Sequence, residues 1–273
     1  MFRTRLISGI VLVAVALVVL ITGGPLLAAV LLAISIIGQN ELYRALGIED
    51  SGFSPLAGVG YLGCFLYYVI VISGAAAYNM TVLIAILIAL MAVYVFTYPR
   101  YRTEQVTGAF FGVIYVAVML SCIYELRIME HGAYLVWLIF ISSWGCDTCA
   151  YCVGMLIGKH KMSPKLSPKK SVEGAVGGVI GAAAIGAIYA AAISPQMEGG
   201  MHTVLSFALI CAVGALISMV GDLAASAIKR NHGIKDYGKL IPGHGGILDR
   251  FDSVIFIAPA IYYLTQAIAG YFW

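Results

Sequence analysis

Apolar residues run along this chain in blocks of membrane-spanning length, separated by short interruptions rich in glycine, proline or charge. A helix crosses the hydrocarbon layer with about 20 predominantly apolar residues. Nine blocks approach that length: Leu6–Ile21, Pro25–Ile37, Pro55–Ser73, Met80–Tyr98, Thr107–Tyr124, Gly132–Cys149, Gly174–Ile193, His202–Ala225 and Ser253–Gly270. The second is short and reads as tilted or re-entrant. The first follows Arg3 and Arg5, like a secretory leader, but no small-residue cleavage site precedes the next block, so it reads as a retained helix. The pattern predicts an all-α, polytopic integral membrane protein of about nine transmembrane helices. Five spans fall in residues 1–131. Four fall in residues 132–273, together with the two largest polar interruptions.

Charge fixes the expected orientation. Only 11% of residues are charged and 62% are hydrophobic, against about 25% charged in soluble domains. With the N-terminus placed in the cytoplasm, alternate loops collect 15 of the 16 Lys and Arg residues on one side, leaving only Arg127 opposite. Cytoplasmic loops of membrane proteins carry this excess, so the C-terminus is expected outside and both basic loops inside. If the protein is bacterial, its membrane is the cell inner membrane. The outer connections leave no room for an external domain. The basic residues follow topology, and nothing points to a nucleic-acid partner.

The longest polar run, Ser226–Ser253, reads SAIKRNHGIKDYGKLIPGHGGILDRFDS. Acids inside apolar helices are costly and mark function by default. Asp222 lies within the eighth block and Asp147 at the end of the sixth. Ser226, Lys229 and Arg230 follow Asp222 at helical spacing, so an acid, a hydroxyl and two cations share one helix face. Tyr151, Gly154 and Gly158 stand in the same relation to Asp147. The loop KHKMSPKLSPKKSVEG carries five lysines and ends at Lys169, Lys170 and Glu173, where a helix N-terminus would suit phosphate. Pro242 to Gly246 permits a close-approach backbone, and Asp249 and Asp252 follow. Oxygen-rich sites with few protein ligands suit Mg²⁺ shared with substrate phosphates. The same acids and bases could instead pair among themselves. His244 suits either a general base or a phosphate contact. Cys146, Cys149 and Cys152 form C-x-x-C-x-x-C but lack a nearby fourth cysteine and lie in an apolar helix, so they are set aside as a metal site. The small-residue block from Gly174, with Gly174/Gly178 and Gly177/Gly181 pairs, predicts close helix packing.

The polar run resembles the signature of the phosphatidate cytidylyltransferases, or CDP-diacylglycerol synthases. That pattern is Ser-x-apolar-Lys-Arg, four residues, Lys-Asp, a spacer, His-Gly-Gly, two residues, Asp-Arg-x-Asp. Ser226, Lys229, Arg230, Lys235, Asp236, His244, Gly245, Gly246, Asp249, Arg250 and Asp252 fill every fixed position. Asp147, Tyr151, Gly154 and Gly158, with Ser167, Lys169, Lys170 and Glu173, are similar to a second block. The resemblance covers about the last 130 residues. It implies that CTP and phosphatidate react to CDP-diacylglycerol and pyrophosphate. It also implies a homodimer and Mg²⁺ held by Asp222 and Asp249, with room for a second metal ion. In this reading Asp222, Asp249, Lys229, Arg230, Asp236 and Arg250 are catalytic. Ser226, Lys235, His244, Gly245, Gly246, Asp252, Asp147, Tyr151, Ser167, Lys169, Lys170 and Glu173 bind substrate.

Two other classes compete. A CTP-dependent polyprenol or phytol kinase would release CDP in place of pyrophosphate. A transporter or channel would show ionisable residues near the midplane and inverted repeats of broken helices, whereas here the charge collects at one face.

Overall fold

Each apolar block folds as a helix, since hydrocarbon offers no partner to an open backbone N–H or C=O. The computed structural model describes residues 2–49, 54–197, 200–243 and 245–272. Its helices are α1 (Phe2–Thr22), α2 (Gly24–Ala45), α3 (Pro55–Ser73), α4 (Asn79–Phe96), α5 (Thr103–Ile128), α6 (Gly132–Ile157), α7 (Val172–Met197), α8 (Gly200–Asn231) and α9 (Leu248–Phe272). Among the described residues, α2 to α9 each supply an apolar stretch long enough to cross a membrane, and α1 adds a shorter one, Ser8–Thr22. Helices α5 and α6 each contain a π-helical segment, Val113–Val118 and Ile141–Gly145.

Three expectations need correction. The second span is no short or re-entrant segment: α2 runs 22 residues, because Gln39 and Glu41 find partners while buried and so let the helix continue past the apolar run. Helix α6 continues through Asp147 to Ile157, so this acid lies inside the helix and not at its end. Helix α8 carries Asp222, Ser226, Lys229 and Arg230, as their helical spacing predicts, and ends at Asn231. The all-α reading also has one local exception. The lysine-rich loop forms a two-stranded antiparallel hairpin, β1 (Lys161–Ser163) and β2 (Ser167–Ser171), with Lys161 opposite Ser171. The Ser-Pro steps that interrupt helix formation leave this backbone extended and free to pair.

The chain divides into two compact units. The first comprises residues 1–125 and 231–251. Its core gathers Tyr43, Leu56, Ile86, Leu90, Tyr101 and Val113. Tyr43 is fully buried, and its hydroxyl donates to the Ala109 carbonyl at 2.7 Å while accepting from Gln39 Nε2 at 3.0 Å. The Tyr43 ring fits because Gly60 and Gly112 face it without side chains.

The second unit comprises residues 126–230 and 252–273. The α6–α7 seam is its closest packing. A Cβ on Gly178 would fall 2.9 Å from Cys146 Sγ and 3.0 Å from Ala150 Cβ; one on Gly177 would meet Val153, and one on Gly181 would meet Cys149. This is the close approach that small residues permit between helices in lipid. Ser171 caps α7, its hydroxyl accepting from Gly174 N at 3.1 Å.

Gly112→Ala drives a methyl into the Tyr43 ring. Overpacking of this kind costs about 1–3 kcal/mol, expected as a fall of about 2–10 °C in the Tm of detergent-solubilised protein. An unchanged Tm would show that Tyr43 is not held against that wall.

Candidate active site

Helices α6, α8 and α9 and the end of the hairpin bring acids and cations together in the second unit. Lys170, the penultimate residue of β2, forms an ion pair with Asp222 of α8. Asp147 of α6 interacts electrostatically with both Lys170 and Asp222. Asp252, in the first turns of α9, interacts with Asp222, Asp147 and Lys229, and its Oδ1 accepts from Ser253 N at 2.8 Å. Three carboxylates therefore meet two lysines in one cluster. It borders a cavity of about 390 Å³ whose lining includes Asp147, Tyr151, Lys169 and Lys170 and also Met155, Met162 and Met219. A cavity of this volume holds a small ligand or headgroup.

The hairpin that delivers Lys169 and Lys170 is clasped by Glu173. This carboxylate accepts from Lys159 N at 3.0 Å and His160 N at 3.2 Å and pairs with His160 Nδ1. The structure thus engages Glu173 with the chain entering the hairpin, and it is not among the cavity-lining residues. Ser167 begins β2 and Gly154 packs beside Gly174.

In the first unit the polar run folds around two carboxylates. Asp249 is buried, and its Oδ2 accepts from Tyr237 N at 2.8 Å and Gly246 N at 3.0 Å. Glu41 of α2, only 7% exposed, accepts from Ile247 N at 3.0 Å and Leu248 N at 2.8 Å. Those amides belong to the start of α9, where the intrahelical ladder supplies no acceptor. Gly243 and Gly245 take φ of 77° and 87°, the left-handed region that favours glycine, and let the loop return so that Ile241 N donates to Gly245 O at 2.9 Å. Lys235, Asp236 and Arg250 are exposed, as is Arg230 at the end of α8. Ser226 is half-buried on α8. His244 lies outside the described residues.

The structure therefore gathers Asp147, Lys170, Asp222 and Asp252, with Tyr151 and Lys169 lining the same cavity, and Lys229 in electrostatic reach of Asp252. Asp249, Gly245 and Gly246 belong to the other unit's loop. Glu41 escaped the sequence reading, although an acid four residues beyond an apolar block was the available signal. The cysteines spread around α6, with Cys146 buried and Cys152 exposed. Among the described residues no three His, Cys, Asp or Glu side chains are disposed to enclose a metal by themselves. Asp147, Asp222 and Asp252 carry hard carboxylate oxygens, the ligand type that a divalent cation such as Mg²⁺ takes beside phosphate and water.

The chain matches the profile of the cytidylyltransferase family over residues 3–268. A protein of Staphylococcus saprophyticus named phosphatidate cytidylyltransferase is 30% identical over 266 residues, spanning 95% of this chain and 97% of the relative. Proteins of the same name from Staphylococcus aureus and Bacillus subtilis are 29% and 28% identical, covering 95% and 96% of this chain and 97% of each relative.

Glu173→Ala removes the clasp on residues 159–160 while leaving the α7 cap intact. Trypsin is expected to cut at Lys159, Lys161 or Lys165 severalfold faster in native membranes, read by mass spectrometry of the fragments. Equal cleavage rates would show that the strand pairing alone holds the hairpin.

Proposed function

Because the chain belongs to the cytidylyltransferase family, we propose that it is a phosphatidate cytidylyltransferase, converting CTP and phosphatidate to CDP-diacylglycerol and pyrophosphate. The observation that carries this reading is the Lys170–Asp222 pair beside a cavity whose lining includes both lysines and methionines. Such a cavity suits a ligand that is phosphate at one end and acyl chain at the other. The positive-inside rule assigns the basic loops, and with them Lys169 and Lys170, to the cytoplasm; in this reading CTP enters from that side and phosphatidate from the bilayer. The full relatives carry the same name over nearly their whole length, which supports the same assignment.

The chemistry asks little proton transfer of the protein. The lipid phosphate is already ionised, and one of its oxygens attacks the α-phosphorus of CTP. The bond from that phosphorus to the bridging oxygen breaks, and pyrophosphate leaves. Two anionic substrates must meet, so the work lies in positioning and charge stabilisation. Lys169 and Lys170 lie where they can neutralise phosphate oxygens, and Asp222 fixes the Lys170 ammonium in place. Lys229 balances Asp252. Asp222, flanked by Asp147 and Asp252, would hold Mg²⁺, which when bound supplies further screening of phosphate charge. The family resemblance gives Asp249 the same role, and with it a homodimeric enzyme.

Purified protein given radiolabelled CTP and phosphatidate should place label in the lipid phase and release pyrophosphate only when Mg²⁺ is present. Release of CDP instead would identify a kinase. Asp222→Asn is expected to lower kcat/KM by about 100- to 1,000-fold, the range for loss of a charge-stabilising group; near-normal turnover would remove the cluster from the mechanism.

Asp249 can be separated from its loop-binding role. Asn keeps an oxygen able to accept the Tyr237 and Gly246 amides, whereas Ala keeps none. If Asp249 serves the metal, both Asp249→Asn and Asp249→Ala abolish CDP-diacylglycerol formation while the protein stays in the membrane. An active Asn variant beside an inactive Ala variant would make the role structural.

A further inference from the structure

The geometry points to Glu41 as a positioning residue for the reaction, one that sets the placement of the Gly245–Arg250 segment without touching substrate. The inference rests on the cytidylyltransferase reading above.

Glu41 stands on α2, some 206 residues from its partners in sequence. One carboxylate oxygen accepts from Ile247 N at 3.0 Å and the other from Leu248 N at 2.8 Å. The grip is bidentate, on consecutive amides, at the point where the polar run becomes α9. Two parallel charge-assisted hydrogen bonds fix direction as well as distance. The fit is tight on both legs of the loop, since a Cβ on Gly238 or on Gly246 would run into the Glu41 carboxylate. Glycine at 246 leaves room for the Glu41 carboxylate in this position, and its φ is not in the left-handed region.

The acid is also placed at a cost that packing alone would avoid. A buried carboxylate loses its hydration and must be repaid by hydrogen bonds, and a leucine or methionine could have filled the same volume. A second like charge, Asp249, lies in electrostatic reach. Its Oδ2 takes the Tyr237 and Gly246 amides while Glu41 takes the next two, Ile247 and Leu248. Three consecutive backbone N–H groups, Gly246 to Leu248, are thus shared between two carboxylates. Rotating Glu41 away would free two of them and release the segment that aims Asp249 and Arg250. A displacement of about 1 Å at a reacting group can cost about 100-fold in rate.

Three variants test this. Glu41→Gln keeps size but presents an NH₂ to one of two N–H donors. Glu41→Asp keeps charge on a shorter arm, and Glu41→Leu keeps apolar volume. All three are expected to lower kcat by about 10- to 100-fold, as loss of a group that orients a functional side chain does, with KM for CTP unchanged. Hydrogen exchange of the Ile247 and Leu248 amides should rise in each, while the α6–α7 peptides keep their protection. Glu41→Leu with wild-type kcat and a lowered Tm would make the residue merely structural. Wild-type protection of residues 247–248 in Glu41→Gln would overturn the grip itself. Exchange is read without substrate, so failure of the wild-type protein to form CDP-diacylglycerol would count against the proposed reaction and not against the grip.

Discussion

An ionised carboxylate set among apolar helices must be met by donors or cations, and in this protein that requirement decides where the loops go. Glu41 and Asp249 draw the backbone amides of the polar run around them. Asp222 draws in Lys170 near the end of the hairpin's second strand. Glu173 draws back the chain that enters it. The buried pair Glu41 and Asp249 is in effect the nucleus of a local structure, because leaving either unpartnered in low dielectric would cost more than ordering the loop. The helices supply a rigid frame; the acids select which loop conformation the frame accepts.

The two units use different means to the same end. In the first, a fully buried tyrosine with hydrogen-bonded hydroxyl seats against two bare glycines. In the second, a line of glycines on α7 brings backbone within reach of α6. Both replace the hydrophobic drive that lipid does not provide with contact at short range. The second arrangement also reaches the cavity, since Gly154 and Gly174 are among its lining residues and a Cβ on either would press on Ser171.

Hydropathy made the spans legible, and the cost of intramembrane charge singled out Asp147 and Asp222, which the structure places in one cluster. Spacing also put Asp222, Ser226, Lys229 and Arg230 on one helix, as α8 shows. What hydropathy could not give were helix ends. Windows of apolarity stop at the first polar residues, whereas α2 and α8 run on because those residues are answered by tertiary partners. Glu41 was hidden for the same reason: it stood beyond an apolar block and looked like loop. The hairpin was hidden because serine, proline and lysine carry no strand periodicity, and the Glu173 contacts with residues 159 and 160 that precede it are tertiary. Lys170 was expected to serve phosphate and does lie at the cavity, but its partner on α8 could not be read from sequence distance.

The separation between Glu41 and the two amides it holds has a consequence for biosynthesis. The α6–α7 seam joins neighbours in sequence, so it can close as soon as both helices have entered the bilayer. Glu41 enters early, within the second helix, yet its partners are Ile247 and Leu248. The polar run cannot adopt its final form until the last helix begins to emerge from the ribosome. A chain cut short by even one helix would have most of its membrane frame and none of its ordered loop. Ordering of the polar run therefore waits for residues 247–248, and a nascent chain that stops short of them has no ordered Asp249–Arg250 segment to present to the nucleotide pool.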